Sequence, residues 1–241
     1  MRGEWKQGGW WSYYAYGLLV TLPHGTQLMM LLACLVIASE TRRNKWQGLV
    51  RVVPLLLPLL ALFLLVSSQT AFSTHFRYVL PCIGLGLVLA GAVAASHPKC
   101  ALICVVLSAA SWVPQSSNGI GYLNEVSRGL GGDQYHLQGS SLEWGQDFLP
   151  LVKWSETLPS GELLYIDCKA KYSIEDIGVR GATADLSKAT WLVVGAERRS
   201  KIKSKLYRSL DDEQISETIC GEPEYRFGRS IFVFRNNRRG G

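Results

Sequence analysis

Arg77 stands alone where an apolar run begins: no other Asp, Glu, Lys or Arg occurs between Arg51 and Lys99, and His75 and Tyr78 flank it. A guanidinium at the mouth of an apolar stretch suits a lipid-linked phosphate, which it can grip through charge-assisted hydrogen bonds. It equally suits snorkelling to phospholipid headgroups, and the residues alone leave both readings open. A second group is Glu143, Trp144, Gln146 and Asp147. It is a candidate substrate-side motif, although acids near a helix N-terminus are favoured by the dipole, so a helix start is the preferred reading. The basic run Arg198–Lys205 reads as a solvated face. Cys100 and Cys104 lie one helical turn apart in an apolar run, and His24, His75, His97 and His136 are scattered without a ligand spacing, so no metal or other cofactor is expected. Cys168 and Cys220 either pair or remain thiols.

The elements that must position these residues follow from a sharp asymmetry in charge. The chain has 241 residues with 48% apolar and 18% charged. Residues 1–112 hold 8 Lys/Arg and 2 Asp/Glu, which leaves 17 of each for residues 113–241. Such a pattern excludes a soluble nucleic-acid binder, which carries its basic patch on a folded domain. It indicates an α-helical polytopic membrane region over 1–114, a small extracytoplasmic α/β domain over 115–235, and a flexible end at 236–241. A helix needs about 20 mostly apolar residues to cross the hydrocarbon core, which places four spans near 17–38, 52–68, 78–95 and 100–114.

Orientation follows from the basic residues. Arg42, Arg43, Lys45 and Arg51 crowd the first loop, which reads as cytoplasmic, and Lys99 marks the third loop as cytoplasmic too. The loop before Arg77 then faces outside, with the tail on that same side. Trp5, Trp10, Trp11, Tyr13, Tyr14 and Tyr16 read as an interfacial belt. Pro23, Pro54, Pro58 and Pro81 read as ordinary kinks. Gly84, Gly86 and Gly91 offer a small-residue face for close helix packing. In the tail, helical spacing covers Trp144–Leu158, strands are expected at Glu162–Asp167, Thr190–Gly195 and Tyr225–Arg235, and a short basic helix at Ile202–Leu210.

Several of these residues resemble a known family in order and spacing. Thr74-His75-Phe76-Arg77-Tyr78-Val79-Leu80-Pro81 is similar to the His-x-Arg-Tyr-x-Leu-Pro element of bacterial relatives of dolichyl-phosphate-mannose protein mannosyltransferases, in the GT-C superfamily of membrane glycosyltransferases. Gly9–Tyr14 and Leu18–Pro23 resemble that group's aromatic stretch and following span, with Thr21-Leu22-Pro23 where Lys-Thr-Pro is usual. Tyr122-Leu123-Asn124-Glu125 and Ser140-Ser141-Leu142-Glu143-Trp144-Gly145-Gln146-Asp147 resemble two further elements, and Gly228–Phe234 fits the closing one. The likeness runs over residues 9–235.

The resemblance implies sugar transfer from a polyprenyl-phosphate donor at the outer face of a bacterial inner membrane, with Arg77, His75 and Tyr78 toward the lipid phosphate. Catalysis in that superfamily depends on an acid in a large early extracytoplasmic loop, where some members also bind a divalent metal. In this chain Glu4 and Glu40 are the only acids before Glu125, and the first Asp is Asp133. A glycosyl transfer needs a base within hydrogen-bond reach of its acceptor, so no catalytic residue is expected in this chain. It reads as the C-terminal part of such an enzyme, inactive alone, with membrane lipid, a polyprenyl-phosphate-linked sugar and a companion N-terminal half as partners. The alternatives are a non-enzymatic anchored interaction module and one chain of a split glycosyltransferase.

Overall fold

The computed structural model describes residues 9–44, 46–69, 75–129, 136–137, 144–168, 173–203 and 210–236. Two compact units divide the chain, one over Lys6–Gly132 and one over Asp133–Gly241. Segment 115–129, assigned from sequence to the tail, therefore belongs with the helices.

In the first unit Tyr13–Thr21 (α1) is followed by His24–Asn44 (α2), Trp46–Ser68 (α3), a 3-10 turn Phe76–Val79, Leu80–Ser96 (α4), Pro98–Trp112 (α5), a second 3-10 stretch Val113–Gly121 and the short Glu125–Gly129 (α6). Val50–Ser68, Phe76–Ser96 and Pro98–Ser116 are long and apolar enough to cross a membrane, and the bent pair α1–α2 adds a fourth if it counts as one span. The stretch 17–38, expected as one span, is broken. Leu22 turns extended ahead of Pro23, and α2 departs from α1 at 116°. Proline disfavours helical backbone in the residue before it and supplies no N–H to continue the ladder. Pro23 thus makes a corner and not a kink. Pro54 and Pro58 sit inside α3 without ending it, and Pro81 opens the first turn of α4, where its missing N–H costs nothing.

Where α2, α4 and α5 meet, the inward surface is built from small residues. Ala33, Ala90, Val93 and Ala101 form its buried cluster, with Met29 and Leu32 against them. Gly25 lies so close to α5 that a Cβ there would collide with the Cys104 carbonyl and stand 2.7 Å from the Ser108 nitrogen. Thr26 and Ser108 join the same two helices through their hydroxyls at 3.0 Å. Of the glycines expected to pack, only Gly86 meets a neighbour, Met30, while Gly84 and Gly91 face open space. Leu57, Leu64, Leu65, Val88, Leu102 and Ile103 point outward and are exposed. Hydrocarbon accepts such a surface where water would not. The aromatic belt is also revised: Tyr13 and Tyr14 are buried, Trp11 is 76% exposed, and Trp5 lies outside the described residues.

Among the described residues of the second unit, Leu164–Asp167 (β1), Ala182–Thr183 (β2), Trp191–Gly195 (β3), Tyr225–Phe227 (β4) and Ile231–Arg235 (β5) form one sheet in the order β2-β1-β3-β5-β4. β1 runs parallel to β2 and β3, whereas β5 is antiparallel to β3 and β4. Helices Phe148–Thr157 (α7), Ile174–Ile177 (α8), Ala196–Lys203 (α9) and Leu210–Cys220 (α10) complete the unit. Alternation along β3 and β5 gives the sheet two buried faces. Leu192, Val194, Phe232 and Phe234 pack with Ile202 of α9 and with Ile215 and Ile219 of α10. Trp191, Val193, Ile231 and Val233 pack with Phe148 and Leu151 of α7. The small α/β unit expected from sequence is present, as three layers.

Its boundaries differ from the expectation in several places. The single strand 225–235 is a hairpin, because Gly228 takes a left-handed φ of +55° and turns the chain between β4 and β5. The helix expected over 144–158 starts at Phe148, and the one expected over 202–210 begins earlier, at Ala196; residues 204–209 lie outside the described ones. Helix α10 had no counterpart in the sequence reading. Asn236, assigned to the flexible end, is buried, and its side-chain amide donates to the Leu186 and Ala189 carbonyls at 3.2 and 2.9 Å. The rest of that end, 237–241, lies outside the described residues.

Candidate functional site

The helical unit gathers its polar groups at the end where α1 turns into α2. Breaking the helix at Leu22 leaves carbonyls at the end of α1 without helical partners, and each needs a donor. Two amide side chains supply them. Gln27 Nε2 donates to the Leu19 and Leu22 carbonyls at 2.7 and 3.1 Å, and Asn124 Nδ2 donates to the same two at 2.7 and 3.1 Å. The Asn124 backbone N–H adds a bond to the Val20 carbonyl at 2.9 Å. Asn124 is itself fixed, since its Oδ1 accepts from the Ser127 N–H and hydroxyl at 3.1 and 2.7 Å. Gln115, also buried, donates to the Leu123 carbonyl at 3.0 Å and holds the returning strand of chain.

This clamp places Glu125 beside His24. His24 Nε2 lies 3.8 Å from Glu125 Oε2, and Arg128 lies 3.7 Å from Glu125 Oε1. The Ser111 hydroxyl bonds to the carboxylate, and with His24 and Arg128 nearby it holds Glu125 below the usual carboxylate range. Ser111 also shares a hydrogen bond with the Tyr122 hydroxyl. As Ser111 donates its proton to Glu125, Tyr122 donates to Ser111. Glu125, assigned from sequence to the tail, therefore belongs to the helical unit, about half exposed. The sequence signal was the Tyr-Leu-Asn-Glu element, and Asn124 within it explains how a residue past the last span folds back.

Against the middle of α1 the residues expected at a lipid phosphate come together. The 3-10 turn Phe76–Val79 packs on α1, where Gly17 leaves the room that the Phe76 ring takes. His75 meets the Tyr78 ring edge-on at 5.7 Å between centroids, and the Arg77 guanidinium lies 5.6 Å from the centre of the same ring. Arg77 and Tyr78 are exposed and His75 is half-buried, so the three form one surface cluster at the start of α4. Thr74 lies outside the described residues.

The second sequence cluster resolves into structure. Asp147 is buried, and its Oδ2 accepts from the Arg229 and Ser230 N–H groups at 3.0 Å each and from the Ser230 hydroxyl at 2.7 Å. A Cβ at Gly228 would strike this carboxylate, so glycine is needed there twice over. Asp147 precedes α7 without capping it. The helix-start reading is thus half right: the acid stands at the N-terminus but spends its lone pairs on the β4–β5 turn. Gln146 Oε1 accepts from the Trp144 N–H at 2.8 Å, Trp144 is exposed, and Glu143 lies outside the described residues.

Arg199 corrects the reading of 198–205 as a solvated face. It is buried, donates to the Ile219 and Gly221 carbonyls at 3.1 and 2.9 Å, and lies over the Phe232 and Phe234 rings at 4.9 and 5.2 Å. A cation at the C-terminus of α10 meets carbonyls that no helix turn satisfies. Its neighbour Arg198 pairs with Asp167 at 2.7 Å. Cys168 and Cys220 are both free thiols. Among the described residues no three His, Cys, Asp or Glu side chains are gathered as a metal site. Comparison with protein-family models, with curated proteins and with solved structures finds no match for this chain.

Proposed function

We propose that the helical unit binds the phosphate of a polyprenyl-phosphate-linked sugar, as the membrane part of a GT-C-like glycosyltransferase of the kind the sequence resembles. The observation that supports this is the cluster of His75, Arg77 and Tyr78 at the start of an apolar helix. A guanidinium there can meet a phosphate at headgroup depth through two parallel N–H bonds, and the imidazole and phenol beside it add further polar partners. The outward leucines and valines of α3, α4 and α5 suit the prenyl chain. On this reading Arg42 and Arg43 face the cytoplasm, while the Arg77 cluster and the α/β unit are extracytoplasmic. The proposed role is binding, and no residue is assigned the base of a transfer.

The test is titration of the full chain in lipid nanodiscs with a short-chain polyprenyl phosphate. Losing one charge-assisted phosphate contact costs about 1.5–3 kcal/mol, roughly tenfold or more in affinity. Arg77→Ala should weaken binding by that factor and Arg43→Ala should leave it unchanged. Equal affinity in wild type and Arg77→Ala, or no preference for polyprenyl phosphate over phosphatidylglycerol, would overturn the reading.

A further inference from the structure

We propose that His24 and Glu125 form a proton-operated latch that fixes the α1–α2 corner to the segment after α5, and through α1 regulates the Arg77 cluster. The two nitrogens of His24 carry the inference. Nδ1 faces Gln27 Oε1 at 3.4 Å, and the orientation of that amide is settled, because its Nε2 is spent on the Leu19 and Leu22 carbonyls. Nε2 is buried as an atom, has no hydrogen-bond partner among the described residues, and faces Glu125 Oε2 at 3.8 Å. Both neighbours of the ring are acceptors. A neutral imidazole carries one N–H, so either tautomer turns a lone pair toward an oxygen. Only the imidazolium presents a donor to each side.

The surroundings leave this pair in charge of the corner. Helix α1 carries no charged residue, Val113–Gly121 carries none, and α5 carries only Lys99 in its first turn, at the end opposite Ser111. The charges acting on Glu125 are His24 and Arg128. The other titratable or charged groups on the adjoining elements are the Tyr122 phenol, which reaches Glu125 through Ser111, the tyrosines of α1, the thiols Cys82 of α4 and Cys100 and Cys104 of α5, and His75, Arg77 and Tyr78 at the turn packed on α1. Cys34, Glu40, Arg42 and Arg43 of α2 lie ten or more residues along the helix from His24, and Arg51 lies at the start of α3. Phenols and thiols stay neutral while an imidazole titrates.

Glu125 is held below the ordinary carboxylate range, so it stays ionised while an imidazole gains or loses its second proton. The sign is therefore fixed on both sides. As pH falls past the imidazole's titration the latch gains a charged pair, and it loses that pair only when the pH drops below the usual carboxylate range and Glu125 protonates. Latch and lipid-phosphate cluster both lie against helix α1. The C-terminal end of α1 is held by Asn124 and Gln27, while Gly17 on the same helix seats Phe76 of the turn that bears Arg77. The regulatory half of the inference rests on the proposed phosphate site; the latch itself does not.

Spin labels at Leu19→Cys and Val126→Cys, both exposed positions, in an otherwise cysteine-free full chain in nanodiscs, read the corner directly. The distance distribution should be narrower at about pH 5.5 than at about pH 8, and Glu125→Gln should abolish the difference while Arg128→Ala keeps it. In a His75→Ala background, which removes the cluster's own imidazole, polyprenyl-phosphate affinity should rise severalfold over the same pH step with Glu125 and not with Glu125→Gln. A distribution identical at both pH values, or a pH response that survives in Glu125→Gln, overturns the latch. A latch that responds while Arg77→Ala leaves phosphate binding untouched overturns the phosphate reading instead.

Discussion

The two units of this molecule sort their side chains in opposite ways. In the helical unit many large aliphatic residues, Leu57, Leu64, Leu102 and Ile103 among them, lie outside, while alanines such as Ala33 and Ala90, polar residues such as Asn124 and Gln115, and a few tyrosines lie inside. In the α/β unit Leu192, Val194, Ile219, Phe232 and Phe234 fill the interior. Water drives apolar area inward in the second unit. The first has helices long and apolar enough to cross a membrane, and hydrocarbon would give no such drive, leaving close backbone approach and polar bonds to hold them. The same contrast governs breaks in regular structure. The helical unit mends its broken helix with neutral amides, Gln27 and Asn124, whereas the α/β unit clamps its turns with buried charges, Asp147 and Arg199.

The largest effect that would break this comparison is expected at Asp147. Asp147→Ala leaves three donors of the β4–β5 turn without an acceptor, which should cost about 4 kcal/mol, as unsatisfied buried groups cost ~1–3 kcal/mol each and relax in part. Hydrogen exchange at the Arg229 and Ser230 amides in the full chain would show it. If those amides keep their protection, buried charge is not what holds the turn.

Gly25→Ala comes next and tests the helical side. Its Cβ meets the Ser108 hydroxyl, which could turn away, but also the Cys104 carbonyl and the Ser108 nitrogen of the α5 backbone, which cannot, so about 2–3 kcal/mol of overpacking is expected. Gly91→Ala, which meets nothing, should leave thermal unfolding in detergent unchanged or slightly raised. Equal behaviour of the two variants would refute close helix packing at Gly25.

For Arg199→Ala we expect about 2 kcal/mol, from two lost carbonyl bonds and the stacking on Phe232 and Phe234. Arg199→Lys should recover less than half, because a single ammonium cannot span both carbonyls. Arg198→Ala, which breaks a more exposed pair, should cost under about 1 kcal/mol. A urea midpoint for Arg199→Ala no lower than that of Arg198→Ala would contradict the burial.

The smallest effect belongs to Asp185. Hydrogen bonds from Ser187 and then from Lys188 hold its carboxyl down at about 2. A lowered carboxylate contributes stability above its unfolded value and loses it as pH falls through the folded one. Carboxyl NMR should therefore find Asp185 titrating near pH 2, and Asp185→Asn should matter little to the fold, since the side chain remains open to solvent. A midpoint near the ordinary carboxylate value of about 4 would remove the local turn as the cause.

What the sequence determined by itself was whatever depends on composition and period. Long uncharged runs need no partner to be recognised as helices fit for a membrane, and the alternation of Ile231–Arg235 is legible because neighbouring strand residues face opposite sides. The grouping of His75, Arg77 and Tyr78 was legible for the same reason: it is local, within one short turn. Long-range pairing was decided only in the tertiary structure. Nothing near Pro23 announces that Asn124, far along the chain, will cap the helix before it, and without that cap a corner is a mere kink. Glu125 read as a tail residue until Asn124 and Gln115 bound its segment to the helices. Asp147 read as part of a helix start, and Arg199 as one of several surface cations, because a carboxylate or guanidinium declares its charge in the sequence but not its partner. Partners are set by which backbone groups the fold leaves unsatisfied, and that is known only once the chain has closed on itself.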